Sequence, residues 1–522
     1  MQKYFILLLL FFFFINTSDA QQKQTPKLVV GVVVDQMRAE YLNRFFDQFG
    51  DKGFKRLMKE GYQCKDVHFS YIPTYTGPGH ASLYSGTTPA FNGIIGNDWF
   101  DEGSKRIVNC VSDSTEQIVG IISKSHGTSA RKLISTNICD ELKIFTQQKA
   151  KVISVSLKDR AAVLAAGHMA NAAYWFNSDS GRFVSTTYYL KKLPDWALNF
   201  NKDTKKYLQN PWKPLLPEAS YPMSTSVKPD FSYPMASFSN VYASPYGNTL
   251  LTDFAIQVLQ NENLGKGSYP DLLAISYSSP DAVGHTYGPL SKELNDLYLR
   301  FDADMARLLD ALDQAVGKGN YLLFLTADHG VAEVPQYLME YKVPAGYVNN
   351  AGIKTEAENY LNKQLGAGKW IDIEMNEQFY LNRSLIQEKG LKLDDVQNLL
   401  AAFLRNQKGI FQVFTATEME TQSFNELLSS MLQAGYMHKR SGDVLYTMEP
   451  GWTEQMTYGT THGSGFSYDT QVPLLFFGSG IHKGETYEYH EITDLAASLA
   501  LRLGIKLPNA CVGKAITGIL AN

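Results

Sequence analysis

The chain has 522 residues, of which 44% are hydrophobic and 19% charged, and its formal net charge is −4. This length allows a large buried core, and the composition argues against an intrinsically disordered chain. No run of like charges indicates a nucleic-acid or membrane-surface partner, so we expect no specific binding to either.

The first 20 residues have the pattern of a cleaved export signal. Lys3 supplies a positive charge, residues 4–15 form an apolar run of 12 residues, and residues 18–20 provide small side chains at a cleavage site. A bilayer span needs about 20 residues, so this run is too short to be one. No cysteine follows it, which argues against a lipid anchor. We expect cleavage after Ala20 and a periplasmic or secreted protein without a stable membrane anchor.

Five short apolar runs, rich in β-branched residues, predict strands that are buried on both faces. In chain order they are "KLVVGVVVDQMR" (27–38), "KVISVSLKDR" (151–160), "DLLAISYSSPDAVGH" (271–285), "YLLFLTADHG" (321–330) and "VPLLFFGSG" (472–480).

Helical patterns separate these strands. Residues 39–61, 293–317 and 492–504 repeat apolar side chains at intervals of three and four, and the second pattern stops at a glycine. Strands that alternate with helices predict an α/β fold, in which a mostly parallel central sheet is covered by helices on both faces.

Two regions interrupt this alternation. Residues 172–245 are rich in Tyr, Pro, Ser and Asn and show weak periodicity, whereas residues 345–450 contain their own helical pattern at 394–406. We interpret both regions as insertions that cap one edge of the sheet. Residues 21–522 would then form one catalytic domain with two insertions.

The chain has four cysteines, and none of them belongs to a CxxC pair. A cysteine metal site is therefore not expected. In an oxidising compartment an even number of cysteines favours up to two disulfides, for which three connectivities are possible. The four residues are Cys64, Cys110, Cys139 and Cys511.

Metal-binding residue types follow three of the predicted strands, and one more lies in a Gly-rich loop. Ligands of an open parallel sheet bind beyond the carboxyl ends of its strands, so we expect these side chains to meet. Three carboxylates and three imidazoles without a thiolate favour zinc over manganese or another transition metal. Any one of them alone could equally be a helix cap or a structural loop residue. The residues are Asp35, Asp281, His285, Asp328, His329 and His462.

Their spacing suits two ions. Asp281 and His285 are four residues apart, so one turn can direct both at one ion, and Asp328 and His329 are adjacent at a strand tip. With one hydroxyl added, the set has seven ligands, which is enough for two ions. Two metals about 3.5–4 Å apart can hold the attacking and leaving oxygens of an in-line displacement.

The stretch "SYIPTYTGPGH" (70–80) contains five hydroxyl side chains, and we expect part of it to be exposed. Pro78 suits the first turn of a helix that continues to Gly86. Thr76 lies just before that helix, where the positive field of the N-terminus favours an incoming phosphate, and metal coordination can activate its hydroxyl. Thr74 and Ser70 lie too far upstream. The alternative for Thr76 is a plain helix N-cap.

These residues also resemble the alkaline phosphatase superfamily. The resemblance covers most of the mature chain and is greatest to the bacterial phosphate-irrepressible alkaline phosphatases. Those are periplasmic di-zinc monoesterases, whose core is similar to that of the nucleotide pyrophosphatase/phosphodiesterases. The motifs that carry it are "VVVDQMR", "TYTGPGHASLYSG", "NGIIGNDWF", "SLKDR", "SPDAVGHTYGP", "TADHG" and "THGS".

The resemblance implies two zinc ions and a role for each matching residue. Thr76 would attack phosphorus and become a phosphothreonine, which is then hydrolysed. One zinc ion would be held by Asp281, His285 and His462, and the other by Asp35, Asp328, His329 and the Thr76 hydroxyl.

Three further residues would bind the phosphoryl group. By resemblance, Asn97 in "GNDWF" donates to one phosphoryl oxygen, while Lys158 and Arg160 in "SLKDR" reach the remaining charge. Preorganised donors stabilise the charge that develops on these oxygens, and a guanidinium can bind two of them. The implied activity is hydrolysis of small phosphate monoesters, with broad specificity and release of inorganic phosphate. We expect a monomer.

Three alternatives stay open. A phosphodiesterase or nucleotide pyrophosphatase would share Asn97, but Lys158 and Arg160 favour a monoester, which carries more charge. A sulfatase needs a modifiable Cys or Ser in place of Thr76 and an arginine in place of His80, so this activity is not expected to be the main one. An exported binding protein with an inactive site is the third possibility, and the complete ligand set argues against it.

Overall fold

A computed structural model describes residues 25–221, 231–454 and 459–520. The export signal expected at residues 1–20 lies outside the described residues. Within these three ranges, none of the helices is both long and apolar enough to cross a membrane.

The described chain contains nineteen strands in four sheets. The strands are β1 Leu28–Val34, β2 Tyr62–His68, β3 Asp98–Asp101, β4 Arg106–Asn109, β5 Ser112–Val119, β6 His126–Thr128, β7 Val152–Ser156, β8 Ala172–Asn177, β9 Arg182–Thr186, β10 Asp271–Tyr277, β11 Tyr321–Thr326, β12 Gly346–Val348, β13 Ile371–Met375, β14 Gln378–Leu381, β15 Ile410–Thr415, β16 Val444–Met448, β17 Trp452–Glu454, β18 Leu474–Gly478 and β19 Gly484–Glu491.

Nineteen α-helices accompany these strands in the described ranges. They are α1 Tyr41–Arg44, α2 Phe54–Glu60, α3 Thr76–Ser85, α4 Pro89–Asn92, α5 Ile138–Phe145, α6 Asp159–Ala166, α7 Asp195–Asn201, α8 Phe238–Tyr242, α9 Pro245–Asn261, α10 Ser279–Tyr287, α11 Lys292–Ala315, α12 Pro335–Glu340, α13 Asn350–Leu365, α14 Arg383–Glu388, α15 Leu393–Leu404, α16 Ala416–Thr421, α17 Leu427–Gly435, α18 Ser467–Thr470 and α19 Asp494–Leu503.

The central sheet has eleven strands in the order β19-β2-β18-β11-β1-β10-β7-β8-β9-β5-β6. The five strands from β11 to β8 pair in parallel, which agrees with the predicted α/β fold. The pairings β11–β18, β18–β2, β8–β9, β9–β5 and β5–β6 are antiparallel. The expectation of a mostly parallel sheet therefore holds for its centre, and the sheet as a whole is mixed.

Strand β1 lies at the centre of this parallel region, between β10 and β11. All seven of its residues are buried, as a continuous apolar run predicts for a strand covered on both faces. Gly31 is required here, because a Cβ at this position would lie 2.5 Å from the ring of Phe324 on β11. The three strands run side by side in register, so the residues that follow them meet at one edge of the sheet.

Two of the predicted helices form as expected. Residues 293–317 correspond to α11, and residues 492–504 to α19, whose end at Gly504 has a φ of 68° in the left-handed region that favours glycine. Residues 39–61 were expected to be helical throughout, and this is wrong. They form α1, a 3₁₀ turn and α2, because the loop between them turns at glycines and its amides bind the Asp302 carboxylate.

The two regions interpreted as insertions differ in structure. Residues 172–245 begin with β8 and β9, which extend the central sheet, and continue with short helices. Residues 345–450 include the separate four-stranded sheet β13-β14-β16-β15, which packs with α13 and α15 around its own core. We call the unit formed by residues 345–450 the cap.

All four cysteines are free thiols in the described chain, so the expectation of disulfides is wrong. Cys64 lies on β2 and Cys139 on α5, whereas Cys110 belongs to a different hydrophobic cluster and Cys511 lies beyond α19. Because the fold distributes the thiols over separate elements, an even number of cysteines did not imply pairs. Burial raises the pKa of the Cys64 and Cys110 thiols to about 12.

Candidate active site

The predicted site residues gather at one edge of the central sheet. Asp35 follows β1, Asp281 lies in the first turn of α10 after β10, and Asp328 and His329 follow β11. These three strands are parallel neighbours, so their carboxyl ends point to the same side. The structure therefore brings together residues that are up to 294 positions apart in the chain.

The first group of candidate metal ligands consists of Asp281, His285 and His462. On helix α10, the His285 Nε2 atom lies 3.1 Å from Asp281 Oδ1, as their spacing of four residues predicts. His462 approaches from its Gly-rich loop and places Nε2 3.6 Å from the same oxygen. In both histidines Nδ1 donates to a backbone carbonyl, of Thr460 or of Thr74, which orients Nε2 toward Asp281.

The second group contains Asp35, Asp328 and His329, all of which are buried. His329 Nε2 lies 3.3 Å from Asp35 Oδ1 and 3.7 Å from Asp328 Oδ2. None of these three atoms has a hydrogen-bond partner among the described residues. Buried polar atoms normally find hydrogen-bond partners. Here His329 Nε2 instead lies within ion-pair distance of both carboxylate oxygens, without a hydrogen bond of good geometry.

This donor set fits zinc. A tetrahedral zinc ion with ligands about 2.0–2.2 Å away would separate those ligands by about 3.3–3.6 Å, close to the distances in both groups. Carboxylate oxygens and imidazole nitrogens are also ligand types that zinc prefers. Asp35, Asp281 and His329 are in turn close enough to one another to share an ion, so the two groups adjoin.

Lys158 lies between the two groups, at the N-cap of α6. Its Nζ atom is 2.6 Å from Asp35 Oδ2 and 2.6 Å from Asp281 Oδ2, and 3.4 Å from Thr76 Oγ1. The ammonium is therefore paired with one carboxylate from each group, and its single charge offsets only one of the two negative charges. Burial lowers the pKa of Lys158, but Asp281 and Asp35 outweigh this effect and hold it above its ordinary value.

The pKa values of the other groups reflect mutual charge. Burial would raise the pKa of Asp281, but His285 and Lys158 hold it well below its usual range. Burial would lower the pKa of His329, whereas Asp328 and Asp35 raise it to about 9. Burial and the nearby His329 lower the pKa of His462 to about 3. In the metal-free fold these shifts favour a neutral His462 and a protonated His329, so a metal ion bound by His329 would displace a proton.

Thr76 is the first residue of α3, and Tyr75 is the N-cap, so the alternative of Thr76 as an N-cap is wrong by one position. The helix ends at Gly86, as predicted, with a φ of 68°. The expectation that this Gly-rich stretch is exposed fails for the helix itself, because every residue of α3 is buried. Its polar groups bond within the fold; for example, the Thr74 hydroxyl donates to the Ser464 carbonyl.

Asn97 and Arg160 lie on different elements, a loop and helix α6. The Asn97 carboxamide oxygen accepts a hydrogen bond of 2.8 Å from the Gly77 amide in the first turn of α3, which leaves its NH₂ group to donate elsewhere. Arg160 lies in the first turn of α6, and its Nε atom has no hydrogen-bond partner in the described part of the chain. The structure thus places Asn97 in contact with the first turn of α3, whereas Arg160 lies on α6, a helix that packs against α3.

Two buried residues of the site were not singled out as such by the sequence. Gln36 donates from Nε2 to Asp281 Oδ1 at 2.7 Å, and its backbone N–H donates to Asp328 at 3.3 Å. His80 donates from Nδ1 to the Thr76 carbonyl at 2.9 Å and also lies 3.2 Å from Asp328. Their proximity in sequence to Asp35 and Thr76 was the available signal, but the partners that give them a role are remote.

The chain matches known proteins along most of its length. The model of the type I phosphodiesterase/nucleotide pyrophosphatase family matches residues 29–470. The alkaline phosphatase PafA of Elizabethkingia meningoseptica is 38% identical over 95% of this chain and 94% of its own length. A protein of Myroides odoratus named as a calcium-transporting ATPase is 37% identical over 95% of both chains. The alkaline phosphatase PhoV of Synechococcus elongatus is 37% identical over 95% of this chain and 93% of its own length.

The solved structure of PafA superposes with a TM-score of 0.91, covering 95% of this chain and 99% of that one at 38% identity. A PafA variant with a threonine, an asparagine, a lysine and an arginine replaced together has a TM-score of 0.90. The fold and the extent of these matches agree with the resemblance found in the sequence motifs. The chain therefore belongs to the type I phosphodiesterase/nucleotide pyrophosphatase family, within the alkaline phosphatase superfamily.

Proposed function

We propose that the protein is a phosphatase that hydrolyses phosphate monoesters through a covalent intermediate on Thr76. The observation that carries this proposal is the position of the Thr76 hydroxyl. It lies 3.4 Å from Lys158 Nζ, and that ammonium contacts one carboxylate of each ligand group at 2.6 Å. The nucleophile is thus beside the junction of two metal-binding groups, as an in-line displacement between two metals requires.

The relatives support this choice. PafA and PhoV are named alkaline phosphatases and match nearly the whole chain. The four residue types replaced in the PafA variant are those of Thr76, Asn97, Lys158 and Arg160 in this chain. The family also includes phosphodiesterases, which is why charge at the site must decide between the two ester classes.

Two zinc ions are part of the proposal. Asp281, His285 and His462 would hold one of them, and Asp35, Asp328, His329 and the Thr76 hydroxyl would hold the other. When bound, zinc would lower the pKa of the hydroxyl and attract the phosphoryl oxygens.

The residues of the chain supply the remaining steps. The Thr76 hydroxyl gives its proton to solvent, and its Oγ forms a bond to phosphorus while the bond from phosphorus to the ester oxygen breaks. The alcohol leaves with a proton from solvent. Water then attacks the phosphothreonine, which releases inorganic phosphate and restores the hydroxyl. Asn97, Lys158 and Arg160 stabilise charge on the phosphoryl oxygens in both steps, and the N-terminus of α3 adds its positive field.

Substitution of Thr76 tests the proposal. Thr76→Ala should lose nearly all turnover of a monoester while the fold and the zinc content persist, whereas Thr76→Ser should retain substantial activity because it supplies the same oxygen. Acid quenching of the wild type with substrate should trap phosphate on the peptide that contains Thr76. Ser70→Ala is the matched control in the same stretch, since its hydroxyl donates to Glu491 at 2.9 Å, outside both ligand groups.

Near-normal turnover by Thr76→Ala would assign the nucleophile to another residue. Faster hydrolysis of a diester than of the matched monoester by the wild type would favour a phosphodiesterase instead. We also propose that the protein acts in the periplasm or outside the cell; the sequence pattern of residues 1–20 supports this location, and the processed N-terminus of the exported protein would test it.

A further inference from the structure

The cap reaches the nucleophile segment through the tip of one hairpin. Strands β13 and β14 pair antiparallel with Met375 opposite Gln378, so Asn376 and Glu377 form a two-residue turn. Both residues have a φ of 55°, as in the type I′ turns that suit such hairpins. We call these two residues the hairpin tip.

One side of the hairpin tip contacts the residue before Thr76. The Tyr75 hydroxyl donates to the Glu377 carboxylate at 3.0 Å, although the two residues are 302 positions apart. Tyr75 is the N-cap of α3, and its ring packs edge-on against His462 with centroids 5.7 Å apart. Glu377 thus holds the side chain of the residue that precedes Thr76 and that packs against a candidate metal ligand.

The other side contacts the loop that carries Asn97. Asn376 Nδ2 donates to the backbone carbonyl of Asp98 at 2.7 Å. The approach is so close that a Cβ on Gly96 would lie 2.9 Å from the same nitrogen. Since Asn97 itself accepts from the Gly77 amide, the hairpin tip flanks the Thr76 and Asn97 pair from both sides.

The backbone conformation and the charge of Glu377 both disfavour the folded state, so a contribution to the stability of the fold does not explain this residue. Asn tolerates a left-handed backbone, but a glutamate there is uncommon and strained. Burial, followed by the charges of Glu374 and Glu454, raises the pKa of Glu377 to about 8, so its ionised form is disfavoured. Strain of this kind persists mainly where function requires it.

We propose that the hairpin tip is a positioning element for the phosphatase reaction, in which Glu377 holds Tyr75 and Asn376 holds the Asn97 loop. This inference rests on the proposed function, because positioning has meaning only if Thr76 and Asn97 act on a phosphoryl group. The hairpin tip belongs to the cap rather than to the central sheet, so the cap sets the geometry of the attack and does more than cover the site.

Tyr75→Phe is the first test, because it keeps the ring against His462 and removes only the hydroxyl. We expect the kcat for a small monoester to fall about tenfold or more, because a misplaced reacting group slows the chemical step. The zinc content and the inhibition by inorganic phosphate should stay nearly unchanged. The matched control is Tyr446→Phe on β16, whose hydroxyl donates to Glu374 at 2.9 Å inside the cap. This control should keep the wild-type kcat.

Glu377 gives a second test that separates positioning from structural support. Glu377→Gly relieves the backbone strain and removes the buried carboxylate, so its melting temperature should equal or exceed that of the wild type while kcat falls as in Tyr75→Phe. Glu377→Gln keeps an acceptor for the tyrosine hydroxyl and should restore most of the activity. Hydrogen exchange of residues 72–80 should be faster in Glu377→Gly than in Glu377→Gln.

The outcomes distinguish the two proposals. If the wild type does not hydrolyse monoesters, the proposed function fails. If the wild type is active but Tyr75→Phe and Glu377→Gly both keep its kcat, the hairpin tip is not a positioning element. The positioning role would also be overturned if the double variant Tyr75→Phe/Glu377→Gly lost as much kcat as the two single losses combined. Two residues at the ends of one hydrogen bond must give a non-additive loss of kcat.

Discussion

Lys158 shows how single residues balance the charge of this site. Three buried carboxylates, those of Asp35, Asp281 and Asp328, surround one ammonium, which contacts two of them directly at 2.6 Å. Burying ionised groups is unfavourable unless they are paired. The uncompensated negative charge explains why the site suits divalent cations, and the ammonium that faces Thr76 can also serve a phosphoryl oxygen.

The charged side chains of the site predict which class of phosphate ester the protein prefers. A monoester presents one more charged oxygen than a diester, and in the proposed function Lys158 and Arg160 bind that oxygen. Loss of a charge-assisted bond to a buried oxygen costs roughly 1.5–3 kcal/mol, or about 10- to 150-fold in rate. We expect Lys158→Ala/Arg160→Ala to lose far more kcat/KM on a monoester than on the diester of the same alcohol.

Because Lys158 also contacts Asp35 and Asp281, the zinc content of each variant must be measured alongside the rates. Arg160→Ala alone is the cleaner comparison, since the Nε atom of its guanidinium has no hydrogen-bond partner among the described residues. Equal losses on both esters would show that the two cations support the site in general and do not select the monoester.

Helix α10 illustrates how one face of a helix serves the site through several of its residues. It presents Asp281 and His285 to the first ligand group, and between them Gly284 makes room for Gln36. A Cβ on Gly284 would lie 1.8 Å from the Gln36 Oε1 atom. Gln36 in turn donates to Asp281 at 2.7 Å, so the glycine indirectly orients a candidate ligand.

Gly284→Ala should therefore weaken metal binding without changing a ligand. Helix propensity alone would stabilise the variant by about 1 kcal/mol, but displacement of Gln36 should lower zinc affinity about 10- to 100-fold, as for other residues that orient ligands. Zinc competition with a chelating dye measures this effect. In a Gln36→Ala background the same substitution should have little further effect, and a full additional loss would contradict the mechanism.

In the whole molecule, both the affinity for metal and the stability of the fold should depend on pH. The pKa of His329 is raised to about 9 in the metal-free fold, above the ordinary value of 6.5. Its protonation therefore stabilises the metal-free protein fully below about pH 6.5, and this contribution is lost as pH rises through 9. Zinc binds after that proton leaves, so zinc affinity should rise over the same range.

We expect the increase in melting temperature on zinc addition to be larger at pH 9 than at pH 6.5. Binding at 100 times the dissociation constant stabilises a fold by about 2.7 kcal/mol per site. Strong chelation should abolish monoesterase activity, zinc should restore it, and the pH optimum should lie above neutral. Full activity of demetallated protein, or a zinc effect that shrinks with rising pH, would refute this description.

Local sequence patterns were enough to predict some features of the fold, whereas other features depend on contacts between distant residues. Apolar runs predicted β1, β7, β10, β11 and β18, because a strand buried on both faces needs a continuous apolar segment. The residues after those strands predicted the candidate ligands, since parallel strands present their carboxyl ends together. The glycine at position 86 likewise predicted where α3 ends.

Tertiary structure alone decided the other features of the fold and of the site. The antiparallel pairings on either side of the parallel centre of the sheet, the burial of α3 and the free thiols depend on which elements become neighbours, and no local period encodes that choice. Gln36 and Asp281 are 245 positions apart, and Tyr75 and Glu377 are 302 apart. A side chain acquires a role of this kind only when the fold brings its partner within hydrogen-bond distance. The sequence by itself therefore determined the central strands and the chemistry at their ends, whereas the long-range packing of cap and sheet decided which residues hold that chemistry in place.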